Sequence, residues 1–504
     1  MPRSAFGPRP RVLRPFAGLA TWLALGALVA GAGGCKKADY GGGYSAKMGH
    51  AEYAASMDEY APIQENQFLA VEQAAVSTFA VDVDTASYSN VRRFLSEGSL
   101  PPADAVRVEE LINYFDYDYP APGGDTPFSV STEIADCPWN EGARLLHIGL
   151  QGQEIAAEQL PARNLVFLLD VSGSMEEPDK LPLLRRAMKL VVSTLDADDR
   201  VAIVVYAGAS GVVLPPTSGA DQQAIMAALD RLEAGGSTNG GAGIQQAYAL
   251  ARESFDPGAI NRVILATDGD FNVGTVDLDD LQRLIERERE SGVFLSVLGF
   301  GRGNLGDSTM ELLADKGNGN YAYIDSISEA RKVLIEEAGA TLVTIAKDVK
   351  VQVEFDPARV ESYRLIGYEN RLLDARDFAD DRKDAGEIGA GHSVTALYEI
   401  VPKAAEGEGP VAELRLRYKQ PAGEQSQLLT FAIVDAGGEL EGSSDDFRFA
   451  AAVAEFGMLL RGSDNAGGAS WSQVVQLAAG AVGEDRGGHR REFMELVERA
   501  GALE

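Results

Sequence analysis

Between residues 164 and 300 the chain alternates two kinds of pattern, and that alternation restricts its possible folds more than any other feature. Asn164-Leu165-Val166-Phe167-Leu168-Leu169 is a continuous apolar run, and 201–207, 262–266 and 293–300 share its character. A strand that is apolar on both sides has to be covered on both faces, as in a parallel sheet. The stretches between them, 181–195, 222–232, 243–254 and 278–290, carry apolar residues at helical spacing. Strand and helix in turn at these lengths predict an α/β domain over 161–340, a doubly wound parallel sheet with helices on both faces.

The flanks have a different rhythm. Within 75–160, Phe79-Ala80-Val81-Asp82-Val83-Asp84 reads as a strand. Thr85 is then placed to cap a helix carrying Tyr88, Val91, Phe94 and Leu95 on one face. A second helix is expected over 106–115, and strands near 128–131 and 145–150. Across 341–504, clean alternation at 349–355 and further runs at 363–366, 394–400, 412–418 and 428–434 predict an antiparallel β-region. Helical segments follow at 446–460, 471–479 and 491–500. The β-segments before and after the α/β domain are expected to form one sandwich, with that domain inserted between its halves.

The first 34 residues read as a signal peptide. Arg3, Arg9, Arg11 and Arg14 form a basic head, an apolar stretch runs from Phe16 to Val29, and Ala32-Gly33-Gly34 precede Cys35. The apolar stretch is too short and too glycine-rich at its end to span a bilayer well. Ala32-Gly33-Gly34-Cys35 resembles the lipobox of bacterial lipoproteins, with Ala32 standing where Leu or Val is usual. The resemblance implies lipidation at Cys35 and a membrane anchor, and 35–74 is then expected to be a tether. Lys36 after the cysteine favours an outer-membrane address in a Gram-negative cell.

Charge and cysteine content narrow the function. The 76 acidic residues against 45 basic ones give a net charge of -31, which repels nucleic acid and favours cations. Beyond Cys35 only Cys137 remains, and His50, His147, His392 and His489 are scattered, so a Cys/His zinc site is excluded. The sequence has no Gly-x-Ser-x-Gly elbow, His-Glu-x-x-His pair or phosphate-binding Gly-x-x-x-x-Gly-Lys loop. A non-enzymatic role is expected.

The first parallel strand runs into Asp170-Val171-Ser172-Gly173-Ser174. In open α/β sheets ligands bind beyond the carboxyl ends of the strands, so one carboxylate and two hydroxyls stand at the expected edge. Thr238, in a glycine-rich loop before a helix, and Asp268, directly after the 262–266 strand, belong to the same edge. Singly, such residues are common as helix caps and in turns. Together and in this order they resemble the metal-ion-dependent adhesion site of von Willebrand factor type A domains. The resemblance implies that Ser172, Ser174 and Thr238 contact a divalent metal, with Asp170 and Asp268 bonding directly or through water. Mg²⁺ suits such oxygen donors, with Ca²⁺ or Mn²⁺ as alternatives. Neutral hydroxyls leave the ion electrophilic, and an open position would accept a carboxylate from a protein partner.

The resemblance extends into both flanks. Ser77-Thr78-Phe79 through Tyr88, Asn90-Val91-Arg92-Arg93-Phe94-Leu95 and Cys137-Pro138-Trp139-Asn140 resemble the N-terminal flank of bacterial lipoproteins built around a von Willebrand factor type A domain. Arg364 through Arg371 and Asp384 through His392 resemble the C-terminal flank of those proteins. The expectation is a metal-dependent, protein-binding envelope lipoprotein whose partner presents an acidic side chain. An envelope scaffold with a structural metal is the alternative, and a hydrolase using metal-activated water the third, with Asp270, Glu176 or Glu177 as its base. Among the remaining candidates, Asp82 and Asp84 read as rim or capping residues rather than a second cation site. Glu176, Glu177 and Asp179 read as a solvated loop, Asp307 as a helix cap, and His392 as a structural hydrogen-bonding residue.

Overall fold

The computed structural model describes residues 58–504 apart from 82–83, 125, 157–158, 209, 238–239, 270–277, 339–341, 384 and 404–408. The signal segment, Cys35, Asp82, Thr238 and Asp270 lie outside the described residues.

The central sheet has six strands, in the order Tyr321–Ile324, Phe294–Phe300, Ile260–Thr267, Arg163–Asp170, Arg200–Tyr206 and Ser210–Ser218. The first five pair in parallel, and Ser210–Ser218 pairs antiparallel to Arg200–Tyr206. The parallel sheet expected from the sequence is present, with one antiparallel strand added at its edge. Pro215 and Pro216, which hid this strand, are tolerated there because an outer strand has one row of amides without ladder partners. The apolar run has the covering it needs. Leu165, Phe167 and Leu169 pack in the layer of Leu181–Val192 and Gln222–Asp230, while Val166 and Leu168 pack in that of Gly240–Glu253 and Leu278–Glu290.

The flanking strands come together from both sides of the central domain. One sheet runs Leu69–Ala70, Val360–Ile366, Ser393–Pro402, Arg144–Gly152 and Phe128–Asp136. The other runs Ile388–Gly389, Thr344–Phe355, Ala412–Lys419 and Ser426–Ile433, with Val76–Ala80 also paired to Thr344–Phe355. Their facing sides share one core, so the α/β domain is inserted into a sandwich whose sheets each draw on both flanks. The opposite side of the first sheet, through Leu145, Leu397 and Ile366, packs on Asp445–Arg461, Trp471–Ala479, His489–Leu503 and the two short N-terminal helices, Ala86–Ser96 and Val108–Asn113. The alternation of Leu145 with Leu146 and of Leu397 with Ala396 and Tyr398 divides these two cores.

Three local expectations are corrected. The tether expected to reach residue 74 is docked over 58–74. Asp58 Oδ1 accepts from the amides of Gly303 and Leu305 at 3.0 Å each, and Leu69–Ala70 adds a strand to a sheet. The strand expected at 79–84 is Val76–Ala80. Thr85 stands at the N-cap of Ala86–Ser96 without a side-chain capping bond. Instead, Glu110 Oε2 accepts from the Ser87 amide at 2.9 Å, so a carboxylate from the next helix serves the exposed amide end.

Candidate metal centre

Asp170 ends its strand fully buried, and its two oxygens are separately engaged. Oδ1 accepts from the Ser172 amide at 2.8 Å and Oδ2 from the Thr267 hydroxyl at 3.2 Å. The first bond tightens the loop so that Ser172 Oγ and Ser174 Oγ lie 3.0 Å apart. Ser172 is buried and Ser174 exposed, so the hydroxyl pair faces outward from the sheet edge. Burial, helped by the neighbouring Asp268 charge, pushes the Asp170 carboxyl up to about 6.

The described glycines that precede Thr238 are tied to the same place. The Gly235 amide donates to Val171 O at 2.8 Å, and the Gly173 amide to Gly236 O at 3.1 Å. Asp268 follows the neighbouring strand and is fully buried. Its Oδ2 accepts from Lys180 Nζ at 2.9 Å, while Oδ1 has no hydrogen-bond partner among the described residues. Asp170, Ser172, Ser174 and Asp268 thus converge on the edge that the sequence indicated. An orphaned carboxylate oxygen beside a second buried carboxylate and two hydroxyls is a donor set suited to a hard divalent cation.

Lys180 is the participant that sequence reasoning missed. Its ammonium joins Asp268 to Asn304, which it also reaches at 2.9 Å. It is held close by Gly301, whose φ of +72° favours glycine and whose Cβ, if present, would stand 2.2 Å from Lys180 Cγ. The only sequence signal was its position just before the apolar helix Leu181–Val192, where lysines usually cover a surface. The lysine pairs with one of the two carboxylates, so the site already carries a fixed cation.

The acidic loop residues Glu176 and Glu177 are exposed, as expected for a solvated loop. Asp307, expected to be a cap, is instead fully buried and bound by Arg107 at 2.5 Å and by the Tyr321 hydroxyl at 2.9 Å. Asp84, Glu110 and Glu311 have carboxylate oxygens within 4.8 Å of one another. That cluster is threaded by guanidinium groups: Arg107 pairs with Glu110, and Arg371 reaches Asp84 at 3.3 Å and Glu311 at 3.2 Å. For Asp84 the counter-ion is therefore an arginine. The His392 imidazole, expected to hydrogen-bond, has no such bond among the described residues; burial holds it down at about 4.

Three family models match parts of this chain. The model of the von Willebrand factor type A domain matches residues 164–336, a von Willebrand factor model matches 54–147, and the model of the C-terminal region of uncharacterised YfbK matches 340–503. The chain is 46% identical over 466 residues to uncharacterised YfbK of Escherichia coli (strain K12), covering 88% of this chain and 80% of that protein. The chain belongs to the YfbK family. An uncharacterised protein of Synechocystis is 23% identical over 61% of this chain and 73% of its own length. Inter-alpha-trypsin inhibitor heavy chain H2 of Sus scrofa is 27% identical over 28% of this chain and 16% of its own length. A solved von Willebrand factor type A protein from Catenulispora acidiphila aligns with 75% of this YfbK-family chain and 91% of its own, at 19% identity and a TM-score of 0.41. Among the described residues, no helix is long and apolar enough to cross a membrane.

Proposed function

We propose that this YfbK-family protein is a binding module of the cell envelope that captures a carboxylate of a protein partner through a divalent cation. The observation that carries the reading is Asp268 Oδ1, a buried oxygen without a partner among the described residues, beside Asp170 and the Ser172–Ser174 hydroxyl pair. Asp170, Ser172, Ser174, Thr238 and Asp268 would hold the ion, most simply Mg²⁺, with Ca²⁺ and Mn²⁺ as substitutes. A bound ion supplies a positive site for an incoming carboxylate. The chain's own contribution is to orient two hydroxyls, keep two carboxylates dry and leave one side facing outward. Domains of this type typically mediate protein interactions. The anchor is assigned to lipidated Cys35, with the outer membrane of a Gram-negative cell as the address. No catalytic step is assigned.

Calorimetric titration of Mg²⁺ and Mn²⁺ into the chain beginning after Cys35, beside Asp170→Ala, tests the reading. Saturable binding that disappears in the variant supports it. Absence of binding in both overturns the metal-dependent reading in favour of an envelope scaffold. The Lys180–Asp268 pair favours that second reading, because it puts a built-in cation where the metal reading needs an added one. Partner capture that persists in excess chelator also selects the scaffold.

A further inference from the structure

A cavity lies away from the candidate metal centre, between the docked N-terminal segment and the sandwich. It encloses about 530 Å³, within the range of small-molecule sites. Ile63, Leu69, Leu365 and Leu372 supply apolar lining, and Leu69 and Leu372 are 46% and 48% exposed. Glu109 and Tyr363 also line it, only 3% and 1% exposed. Glu109 Oε2 and the Tyr363 hydroxyl have no hydrogen-bond partner among the described residues. Buried polar atoms without partners are rare, and two around one cavity imply a group that satisfies both.

The charge around the cavity says which group. Every other carboxylate or arginine in the lining has its counter-charge. Arg107 is held by Glu110 and Asp307, and Glu311 by Arg371. Glu369 and Glu65 share Arg461, at 2.6 and 3.5 Å. Glu109 forms no ion pair among the described residues. Burial and the neighbouring Glu369 and Glu110 push its carboxyl up to about 8 against the opposing pull of Arg461. An anion would face four carboxylates, and a neutral apolar molecule would leave both orphan atoms unsatisfied. An ammonium brings three donors and one positive charge on a compact head.

We propose that this cavity binds an alkylammonium group, its head on Glu109 and the Tyr363 hydroxyl and its chain along Leu365 and Leu372. The chemistry is shared by a free amine and by a lysine side chain of a protein, and the site is independent of the metal centre. The test is calorimetry on the chain beginning after Cys35 with hexylammonium, hexanoate, 1-hexanol and N-acetyl-lysine methylamide as probes. Saturable binding of hexylammonium is expected, about tenfold weaker in Glu109→Gln, with hexanol at least as weak. Leu372→Trp, at an exposed rim position, should block binding while leaving Glu109 in place, and covers the case in which Glu109→Gln does not fold. Matching affinity for the lysine probe supports the proposal with a protein side chain as the source; hexylammonium binding alone supports it with a free amine. Hexanoate or hexanol binding as tightly as hexylammonium overturns it. So does unchanged binding in a folded Glu109→Gln or in Leu372→Trp, or the absence of saturable binding.

Discussion

Lys180 Nζ donates to Asp268 Oδ2 across 2.9 Å, so one of the two acidic residues proposed to hold a metal already has a counter-charge within the protein itself. Both partners are buried, and the lysine side chain is 6% exposed.

Replacing Lys180 by methionine should have opposite effects with and without metal. Removing one member of a buried ion pair leaves an uncompensated charge, which costs about 3 kcal/mol. Without Mg²⁺ the melting temperature should fall. The variant should also bind Mg²⁺ about tenfold more tightly, because a like charge has left the neighbourhood. Thermal melts with and without Mg²⁺ read both effects; a smaller Mg²⁺-induced rise than in the parent chain contradicts this electrostatic account.

Gly301→Ala should destabilise by about 2 kcal/mol. A left-handed backbone costs a residue with Cβ about 1–2 kcal/mol, and the new carbon would displace Lys180. In a Lys180→Ala background the displacement penalty vanishes, leaving the backbone cost. Urea midpoints of the two single variants and the double variant measure the coupling; strict additivity rules out contact between these residues.

Arg92 ties three parts of the chain together. It reaches Asp325 at 2.6 Å and Glu329 at 2.7 Å in the central domain, and Glu492 at 3.2 Å in the last helix. Arg92→Met should cost about 3–5 kcal/mol by leaving Asp325 and Glu329 unpaired in a dry site. It should also loosen the central domain from its flanks, so that tryptophan fluorescence and far-ultraviolet dichroism no longer report one urea transition.

Burial lowers His147 to about 4, and its Nε2 lies 2.8 Å from the Tyr119 hydroxyl. The unfolded side chain titrates near 6.5, so the contribution of neutral His147 is complete above that value. It is lost as pH falls from about 6.5 towards 4. His147→Gln should flatten part of the decline in melting temperature between pH 7 and 4, while His392, also lowered to about 4, keeps the remainder. An unchanged slope contradicts this assignment.

What the sequence revealed depended on whether the information was local. The parallel strands were legible because burial on both faces leaves an uninterrupted apolar run, and Asp170 and Asp268 because strand ends share an edge. The Ser210–Ser218 strand was not legible, since two adjacent prolines are foreign to an inner strand and are tolerated only at an outer position. Lys180 was invisible for a different reason. Its role depends on a carboxylate and a glycine distant in sequence. Asp307 failed likewise: a cap is a local event, whereas its actual partner, Arg107, comes from the other side of the inserted domain.

The crossing of strands across the insertion also dictates an order of events for a newly made chain. Arg144–Gly152 is flanked by Phe128–Asp136, its own near neighbour, and by Ser393–Pro402, which emerges only after the entire central domain. Val76–Ala80 likewise waits for Thr344–Phe355. The central domain, whose contacts are comparatively local, can complete itself first, while the early strands keep an open edge. Until the later strands arrive, those strands are the vulnerable part of the molecule, and a chaperone able to shield an unpaired strand edge would serve it most in that interval.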